Sequence, residues 1–397
     1  MKKILIVHHG SGIGGGLIAL VGIIKKLDKE FNITVLCIFN SEAVEYLHNL
    51  GIKVILPKSD FYKKYYDLFV LSEASFPNIL NFLRGVKNTF LYFLNLLIFS
   101  NKEFKSLKEE YDYLYLNSLF ITDWLFWSKN YFRKVIVHVR EPLGKGFLGI
   151  RRKVIRFMLN KYSDTIIAIS KDNAERVNIL NKTKVLYDPV LKRETKLISA
   201  NNNYIYFTYV GGSQRIKGVE DLLNSLEFLN KNIKIFFIGS VYEFDEDNSS
   251  ISFRIRRIFS PYLRKVLPKL KEKYLKYNNL IKVGSTNNVF GYYKSSVGLI
   301  APFSKPHACL PVLEAMSIGL PCIVSNITGM TEFFNNKKVF VYSQGNPQDL
   351  ASKINELSIL TNNEISEITK DYLLEFNNIT QNQETTIIEL INELNKS

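Results

Sequence analysis

The sequence predicts an α/β protein made of two doubly wound domains, in which helices cover both faces of a parallel sheet. The chain has 397 residues, about two to three times the usual length of one domain. Short β-rich runs alternate with helical patterns, and this alternation stops at the polar stretch KRETKLISANNN (192–203) before it starts again. We therefore predict an N-terminal domain at 1–190, a linker at 191–203, a second domain at 204–358, and C-terminal helices at 359–397 that pack back towards the N-terminal domain.

Six β-rich runs define the first domain, with helical patterns between most of them. They are KILIVHH (3–9), ITVLCIF (33–39), IKVILP (52–57), YDYLYLN (111–117), KVIVHVR (134–140) and DTIIAIS (164–170). Between the first two runs, the apolar residues of LIALVGIIKKL (17–27) recur at a spacing near 3.6, as on one face of a helix. Strands that alternate with helices in this way indicate a parallel sheet covered on both faces.

A second series of six strands follows the polar stretch. It consists of YIYFTYV (204–210), IKIFFIG (233–239), NLIKVGS (279–285), VGLIAPF (297–303), PCIVSN (321–326) and VFVYS (339–343). Beyond residue 358 the composition is helical and contains no strand candidate.

Composition limits the class of protein and of partner. The chain is 46% hydrophobic and 22% charged, which is typical of a globular protein. Its formal charge of +15 indicates an anionic partner such as nucleic acid, anionic lipid or a phosphorylated ligand. Cys37, Cys309 and Cys322 cannot form a paired framework, so we expect reduced thiols and a cytosolic protein.

The two apolar candidates for targeting segments are too short. The N-terminal MKKILIVHHGSG is interpreted as the first strand rather than a signal peptide. The stretch FLYFLNLLIF (90–99) has ten residues, whereas a membrane-spanning helix needs roughly 20. We therefore predict no transmembrane segment.

Histidines mark the ends of the predicted strands. His8, His9, His138 and His307 all fall where a strand ends, and ligands of doubly wound folds bind beyond the carboxyl ends of the strands. A lone histidine is more often a satisfied core or surface residue. Four histidines at equivalent positions favour a site.

The first loop, GSGIGGG (10–16), is rich in glycine and leads into the first helix. It fits the pattern G-x-G-x-x-G through Gly10, Gly12 and Gly15, so its amides could approach a phosphate. A dinucleotide site also needs an acid after the second strand, yet that strand ends in CIFN, with no acid before Glu42. The loop is either a phosphate loop or a tight turn without a ligand.

The second domain contains two further candidate loops. In YVGGSQRIKGVEDLL (209–223), Arg215 and Lys217 follow glycines and could hold diphosphate oxygens, or the stretch could simply be a solvated basic loop. In SKPHACLPVLEAMSIGLPCIVSN (304–326), a helix is predicted around 311–318. There Glu314 could accept hydrogen bonds from a ribose diol or compensate the charge of the helix N-terminus.

These motifs together resemble retaining glycosyltransferases of the GT-B fold, family-four-like members of the glycosyl transferases group 1. That group includes sucrose and glycogen synthases and many bacterial polysaccharide enzymes. The resemblance covers nearly the whole chain. It rests on GIGGG (12–16), VHVREP (137–142), IAIS (167–170), VLYDPV (185–190), YVGGSQRIKG (209–218) and, most specifically, LPVLEAMSIGLPCIVSN (310–326).

The resemblance implies roles for particular residues. Lys217 would bind the donor diphosphate together with Arg215, and Glu314 would bind the donor ribose. His138 would lie beside the donor sugar. The backbone near Cys309, Leu310 and Pro311 would face the donor phosphates and sugar, and Gly14, Gly15 and Gly16 would lie under the diphosphate and near the acceptor.

Two positions depart from the family pattern. Pro306 occupies the place of the first glutamate of the usual E-x7-E pair, and the neighbouring His307 is expected to take over a contact to the sugar. Gly212 occupies the place of a usual arginine, for which Arg215 is the nearest substitute.

The resemblance also implies an activity. Two Rossmann-like domains would face a central cleft, and a hexosyl or related sugar would pass from a UDP- or GDP-linked donor to a glycan or lipid-linked acceptor. Transfer would retain the anomeric configuration, need no metal and no cofactor, and serve surface polysaccharide or glycolipid synthesis. Two alternatives stay open: a non-catalytic nucleotide-sugar-binding partner protein and an NAD-dependent oxidoreductase. The base, sugar, acceptor and oligomeric state are left open.

Two segments suggest contact with the inner face of the plasma membrane by an otherwise cytoplasmic protein. The segment 251–276 holds nine Lys or Arg and one acid, Glu272, with an apolar helical stripe. The segment 84–102 flanks FLYFLNLLIF with basic residues. Each could instead be a helix packed on its own domain. Nucleic-acid binding is not expected, because aromatic and basic residues do not interleave.

Overall fold

The computed structural model describes residues 1–68, 79–107, 110–191, 195–245, 257–334 and 339–396. The chain divides into two compact units. The first unit comprises Met1–Leu191 together with Thr380–Ser397, and the second unit comprises Lys192–Ile379.

The first unit is built on a parallel sheet of seven strands, in the order β3-β2-β1-β4-β5-β6-β7. The strands are β1 (Lys2–His8), β2 (Phe31–Cys37), β3 (Lys53–Ile55), β4 (Tyr113–Leu116), β5 (Lys134–Val139), β6 (Thr165–Ala168) and β7 (Thr183–Val185). The helices are α1 (Gly15–Leu27), α2 (Glu42–Asn49), α3 (Asp60–Lys64), α4 (Ile79–Leu94), α5 (Ser100–Ser106), α6 (Ile150–Tyr162) and α7 (Lys171–Val177). Six of these strands follow the predicted runs. The seventh, β7, has three half-buried residues and too little apolar pattern to be recognised.

Apolar residues fill both faces of this sheet, as in a doubly wound fold. On one face, α1 and α2 pack with Ile387, Leu390 and Leu394 of the C-terminal helix. On the other face, α4, α5 and α6 pack against β4, β5 and β6. Ile4 and Leu5 of β1 point to opposite faces and are both fully buried, which explains the continuous apolar run.

The apolar stretch 90–99 lies on this second face and is not a uniform helix. It begins in α4 and continues as a π-helical turn, Asn95–Phe99, before α5. Leu91, Tyr92 and Leu96 are buried in the core, whereas Phe90 is 64% exposed. The stretch is therefore packed along one side only.

The second unit holds a parallel sheet of six strands, in the order β10-β9-β8-β11-β12-β13. The strands are β8 (Ile205–Val210), β9 (Ile233–Ile238), β10 (Leu280–Gly284), β11 (Gly298–Ala301), β12 (Cys322–Ser325) and β13 (Phe340–Tyr342). The helices are α8 (Val219–Ser225), α9 (Tyr242–Asp245), α10 (Leu267–Lys276), α11 (Val289–Lys294), α12 (Leu310–Met316), α13 (Pro347–Ser358) and α14 (Asn362–Asn395). All six strands follow the predicted runs.

Three predicted boundaries look different in the structure. Of the residues predicted as a linker, Lys196 is fixed to the second unit. Its backbone N–H donates to the side-chain oxygen of Asn288, and its carbonyl accepts from the Asn288 side-chain nitrogen. The region beyond residue 358 contains one 34-residue helix, α14, rather than separate helices. Its first part belongs to the second unit, and from Thr380 it belongs to the first.

The basic insertion is described from residue 257 onwards, and 251–256, with Ile255 of the predicted stripe, lie outside the described residues. A π-helical turn, Tyr262–Val266, leads into α10. Leu267 and Leu270 are buried, and α10 packs against α8. Two residues of this apolar stripe are therefore used inside the second unit, while Ile258 and Phe259 are 66% and 48% exposed.

Each sheet has one point where the direction of winding reverses. In the first sheet it lies between β1 and β4, and in the second between β8 and β11. Loops that leave the carboxyl ends of these two strands run to opposite faces of the sheet and leave a crevice between them. The physical expectation is a ligand site beyond β1 and β4 in the first unit, and beyond β8 and β11 in the second.

Candidate functional site

In the first unit, a buried polar cluster lies at the carboxyl ends of β1, β4 and β5. The Asn117 amide donates to His8 Nδ1 at 3.1 Å, and its oxygen accepts from Arg140 at 3.5 Å. Arg140 also donates to Asp188 at 2.6 Å in a buried ion pair. These residues come from four separate segments of the chain.

His138 lies inside this cluster and is fully buried. Its Nδ1 accepts from the Tyr115 hydroxyl at 2.8 Å and from Arg140 at 3.3 Å, which leaves the ring proton on Nε2. Burial lowers the pKa of His138 well below its usual value, and the charge of Arg140 lowers it further. His138 is thus a neutral residue that holds Arg140. Its Nε2 has no hydrogen-bond partner among the described residues, and its contact with the donor sugar stays a prediction.

His8 is also a neutral residue. Its pKa falls to about 3, because burial disfavours the charged ring and His9 and Arg140 add repulsion. Its Nε2 has no hydrogen-bond partner among the described residues. A Cβ at Gly10 would lie 2.7 Å from that nitrogen, so the glycine is required for the ring to lie there.

The carboxylate of Glu141 connects the ends of β4 and β5. It accepts from the Ser118 hydroxyl at 2.8 Å and from the Leu119 amide at 2.9 Å. His9 Nε2 lies 3.7 Å from the same carboxylate. Glu141 therefore fixes the loop after β4 beside His9.

The glycine loop beyond β1 is exposed and leads into α1, a helix of 13 residues without an acid in its first turn. Added Cβ atoms at Gly12 and Gly14 would meet no atom within 4 Å, and neither residue has a positive φ. Neither packing nor backbone geometry requires glycine there. Open space beside exposed amides at a helix N-terminus suits an anionic ligand. At Gly16 a Cβ would lie 3.5 Å from Arg140 Nε, so Arg140 reaches this loop. Gly15 begins α1.

In the second unit, Lys217 and His307 meet on one aromatic ring beyond β8 and β11. Lys217 Nζ lies 4.3 Å from the centre of the Phe303 ring, and the His307 ring stacks on Phe303 at 4.9 Å. Burial lowers the pKa of Lys217, while Cys309 and Glu314 act in the opposite direction. Burial and the nearby Lys217 lower the pKa of His307 to about 3, so its ring is neutral.

Glu314 lies in α12 and is half-buried. Its Oε2 accepts from the Tyr293 hydroxyl at 3.1 Å. Both Glu314 and Cys309 act on the pKa of Lys217, so the three residues share one electrostatic environment. Sequence reasoning named all three, together with His307, and the structure brings them together at the reversal point of the second sheet.

The backbone after His307 offers fewer donors than the sequence suggested. Cys309 precedes α12, is buried, and has a thiol pKa raised to about 12 by burial. Pro311 has no N–H, so only Cys309 and Leu310 could donate from this group of three. The helix itself has seven residues, which limits the contribution of its dipole.

Two residues predicted for the donor diphosphate have partners within the protein. The Arg215 guanidinium pairs with Glu220 at 2.5 Å and lies 4.2 Å from the Tyr262 ring centre. The Gly212 amide donates to the Ile238 carbonyl at 2.9 Å, and a Cβ there would lie 2.0 Å from the Ser240 carbonyl oxygen. Gly212 is therefore required for close approach of the loop to the end of β9.

Sequence reasoning missed most of the first-unit cluster. Arg140 and Asp188 stand in the motifs VHVREP and VLYDPV, but only the histidine of the first was singled out. A buried arginine at a strand end needs a buried acid as its partner, and this requirement could have identified Arg140 and Asp188 from the sequence. No group of three or more His, Cys, Asp or Glu able to hold a metal ion occurs among the residues that the structure describes.

A family model described as glycosyl transferases group 1 matches residues 192–372, which lie within the second unit. No curated protein sequence matches the chain.

The chain also resembles solved structures. HepE from Anabaena in complex with UDP-glucose has a TM-score of 0.70 at 15% identity, over 99% of this chain and 100% of that one. Sucrose-phosphate synthase from Thermosynechococcus elongatus has a TM-score of 0.64 at 14% identity, over 100% and 98% of the two chains. WaaB, a lipopolysaccharide outer core galactosyltransferase, has a TM-score of 0.53 at 17% identity, over 96% and 99%. At these identities the likeness establishes the fold, and it confirms the predicted class.

Proposed function

Because the second unit carries the glycosyl transferases group 1 domain on a chain with the GT-B fold, we propose that this protein is a retaining glycosyltransferase. It transfers a hexosyl or related sugar from a UDP- or GDP-linked donor to a glycan or lipid-linked acceptor. The observation that carries the proposal is the group formed by Lys217, His307 and Glu314 at the reversal point of the second sheet.

The donor would bind beyond β8 and β11. Lys217, held against Phe303, supplies positive charge to the diphosphate. Glu314, fixed by Tyr293, is placed to accept hydrogen bonds from the ribose hydroxyls. His307 is neutral above about pH 3, so it would contact sugar hydroxyls as a hydrogen-bonding group and not as a charge.

In the proposed reaction, the bond between the anomeric carbon and the diphosphate oxygen breaks, and the electron pair stays with the diphosphate. The acceptor hydroxyl forms its bond to the anomeric carbon on the same face and loses its proton to the departing oxygen. Lys217 stabilises the developing negative charge. The pairing of Arg215 with Glu220 makes it a weaker candidate for this role.

The first unit would supply the acceptor side. Its exposed glycine loop and the buried pair of Arg140 and Asp188 lie together, and Arg140 reaches Gly16. His138 would then be a positioning residue that acts through Arg140.

The solved relatives support a nucleotide-sugar donor. HepE is described in complex with UDP-glucose, and WaaB is described as a lipopolysaccharide galactosyltransferase. The proposed place of this protein in surface polysaccharide or glycolipid synthesis rests on that likeness and on the basic surface of the chain.

The proposal includes independence from metals. Lys217 and loop amides would provide the charge stabilisation that a divalent cation provides elsewhere. Transfer should therefore continue in excess EDTA, and a requirement for added Mg²⁺ or Mn²⁺ would contradict this part of the proposal.

A transfer assay tests the proposed function. Labelled UDP- and GDP-sugars are incubated with the protein and with glycan or glycolipid fractions, and release of UDP or GDP is measured with product formation. Turnover with one donor, lost in Lys217→Met, is expected. Donor binding without turnover for any donor and acceptor would instead identify a non-catalytic nucleotide-sugar-binding partner.

The proposal places the protein in the cytoplasm, in peripheral contact with the inner face of the plasma membrane. No helix of the described residues is long and apolar enough to cross a membrane. Of the two segments considered for membrane contact, 251–276 uses Leu267 and Leu270 for packing. It also keeps Ile258, Phe259 and Leu275 exposed. The segment 84–102 exposes Val86, Phe90, Phe93 and Leu97 at helical spacing and is the better candidate.

A further inference from the structure

We propose that the first unit docks on an anionic lipid bilayer through one outer helical face, formed by α4, the turn Asn95–Phe99 and α6, which we call the docking face. The inference rests on the proposed peripheral membrane contact and extends it to α6, a helix that the sequence did not single out. It identifies the partner by chemistry: a bilayer surface that carries negatively charged headgroups.

The outer side of α6 is apolar where a surface helix is normally polar. Ile150, Val154 and Phe157 lie on successive turns and are 55%, 41% and 59% exposed. The inner side of the same helix packs Ile155 and Leu159 into the core. Single exposed apolar residues are common, but a stripe along one helix marks an interaction surface.

The loop that leads into α6 adds a further apolar side chain. Leu148 is 78% exposed and has a φ of 48°, a left-handed conformation that few residues other than glycine adopt. Gly146 and Gly149 on either side also have positive φ. The loop therefore holds a large apolar side chain in water at a conformational cost, which its own packing does not explain.

A second apolar stripe runs along α4 and the π-helical turn. Val86, Phe90, Phe93 and Leu97 are 59%, 64%, 46% and 52% exposed, and they are spaced by four, three and four residues. The opposite side of this segment is buried in the same core as α6.

Two aromatic residues connect the stripes. Trp127 Nε1 donates to the Leu97 carbonyl at 3.1 Å, and the Phe126 ring lies 5.0 Å from Trp127 and 5.5 Å from Tyr162 at the end of α6. Tryptophan and tyrosine are favoured where apolar and aqueous phases meet. The two stripes thus form one continuous face.

The charge around this face is positive. Residues 150–162 contain Arg151, Arg152, Lys153, Arg156 and Lys161 and no acid. Lys161 Nζ lies 5.6 Å from the Phe157 ring centre, so charge and apolar surface are adjacent.

The α4 side of the docking face has the same character. In 84–106 the basic residues are Lys87, Lys102, Lys105 and Arg84, of which Arg84 pairs with Asp67 at 2.8 Å, and the one acid of this range, Glu103, is buried. Lys102 Nζ lies 5.5 Å from the Phe99 ring centre.

An anionic bilayer fits this combination better than a second copy of the chain does. Apolar residues between lysines are the pattern of helices that lie in the headgroup region of anionic membranes. Pairing of two identical faces would bring positive charge against positive charge. A shallow depression of about 580 Å³ beside Phe157, lined by Arg156, Asn160, Asn178, Leu180 and Asn181, offers polar groups to headgroups.

Docking in this orientation would bring the acceptor side to the membrane. α6 follows β5 and begins near the carboxyl edge of the first sheet, where Arg140 and Glu141 lie. A lipid-linked acceptor held in the bilayer would then reach this edge without leaving the membrane.

Vesicle sedimentation tests the inference. The full-length protein is mixed with vesicles of phosphatidylcholine alone, or of phosphatidylcholine with phosphatidylglycerol, and bound protein is measured at low and high salt. We expect binding only to vesicles with phosphatidylglycerol, and weaker binding at high salt. The double variant Val154→Glu with Phe157→Glu should lose at least about ten-fold in affinity.

A matched control is Ile388→Glu on α14, which is 57% exposed and belongs to the helix that packs on the opposite face of the same sheet. It should bind vesicles as the wild type does, and thermal unfolding should show that all variants are folded. Equal binding by the double variant, equal loss in the control, or concentration-dependent dimerisation without vesicle binding would overturn the inference. Nucleotide-sugar affinity is measured on the same proteins. If the wild type binds no nucleotide sugar, the proposed function is refuted and the vesicle result still stands.

Discussion

The loops that follow β1 and β8 contain glycine for different physical reasons. Gly218 has a φ of 77°, and a Cβ there would lie 1.5 Å from the Pro302 carbonyl oxygen. Gly14 has an extended backbone, and its missing side chain would project into open space. The first glycine is required by the fold, whereas the second leaves room for a ligand.

This difference gives a prediction for two alanine variants. Gly218→Ala should lower the free energy of unfolding by at least about 2 kcal/mol, through strain and the clash with Pro302. Gly14→Ala should cost less than about 1 kcal/mol in stability. It should nevertheless reduce transfer at least about ten-fold, because the added methyl group displaces the ligand from the loop. Denaturant unfolding and the transfer assay check the two effects, and full activity of Gly14→Ala would contradict the proposed role of the loop.

Asp123 is a buried carboxyl whose charge is poorly compensated. Asn95 and the Tyr66 hydroxyl donate to its Oδ2 at 2.9 Å each, and Oδ1 has no partner among the described residues. Burial raises the pKa of Asp123 to about 7, and these two hydrogen bonds reduce the shift. The unfolded chain releases this proton near pH 4, so the folded state binds more protons between about pH 4 and pH 7.

Stability should therefore fall as pH rises through that window, and Asp123→Asn should remove this contribution. The variant keeps an oxygen for Asn95 and Tyr66. Its stability relative to the wild type should increase by up to about 4 kcal/mol between pH 4 and pH 8. Urea unfolding at several pH values measures this difference, and a difference that does not change with pH would show that Asp123 is ionised throughout. Asp60→Asn, in an exposed ion pair with Lys64, is the control, and its stability relative to the wild type should show no comparable dependence on pH.

At the scale of elements, α14 belongs to both units. Its last turns bury Ile387, Leu390 and Leu394 against the first sheet, and Tyr113 donates its hydroxyl to the Leu394 carbonyl. Thr369, earlier in the helix, donates to the Gly319 carbonyl of the second unit at 2.9 Å. The stability of the first unit therefore depends on the end of the chain.

Leu394→Ala should destabilise the first unit by about 2–5 kcal/mol, because Leu394 is fully buried and its removal leaves a cavity. Trp124 and Trp127 are the two tryptophans of the chain and both lie in the first unit, so their fluorescence reports the unfolding of that unit. Leu374→Ala on the same helix, at a position that is 55% exposed, should change stability by less than about 0.5 kcal/mol. Similar losses in both variants would contradict the assigned packing.

The elements predicted best were the long buried strands. Their continuous apolar runs, such as those of β1 and β8, follow from burial on both faces and are visible in the sequence. The π-helical turn at Asn95–Phe99 was not predicted. It shifts the phase of the helix locally and buries Asn95, and the regular spacing of apolar residues in the sequence does not indicate such a shift. The three-residue β7 has almost no pattern of its own and is held by pairing with β6.

At the scale of the whole molecule, each unit gathers its polar residues at the reversal point of its own sheet. The second-unit group was accessible to sequence reasoning, since Lys217, His307 and Glu314 stand in motifs with strong family resemblance. The first-unit cluster was not, since Arg140 and Asp188 are 48 residues apart in the chain and are brought together only by the pairing of β5, β6 and β7 in one sheet. Sequence motifs also could not reveal that Arg215 is paired with Glu220.

The most direct test of the proposed donor site is the affinity of the wild type and of Lys217→Met for a panel of UDP- and GDP-sugars, measured by calorimetry. Lys234→Met is a matched control, because Lys234 Nζ also lies over an aromatic ring of the second unit, 4.7 Å from the centre of Tyr204. We predict that one nucleotide sugar binds the wild type and the control equally and binds Lys217→Met at least about ten-fold more weakly. Equal affinity in all three proteins, or no binding of any nucleotide sugar to the wild type, would contradict the proposed donor site.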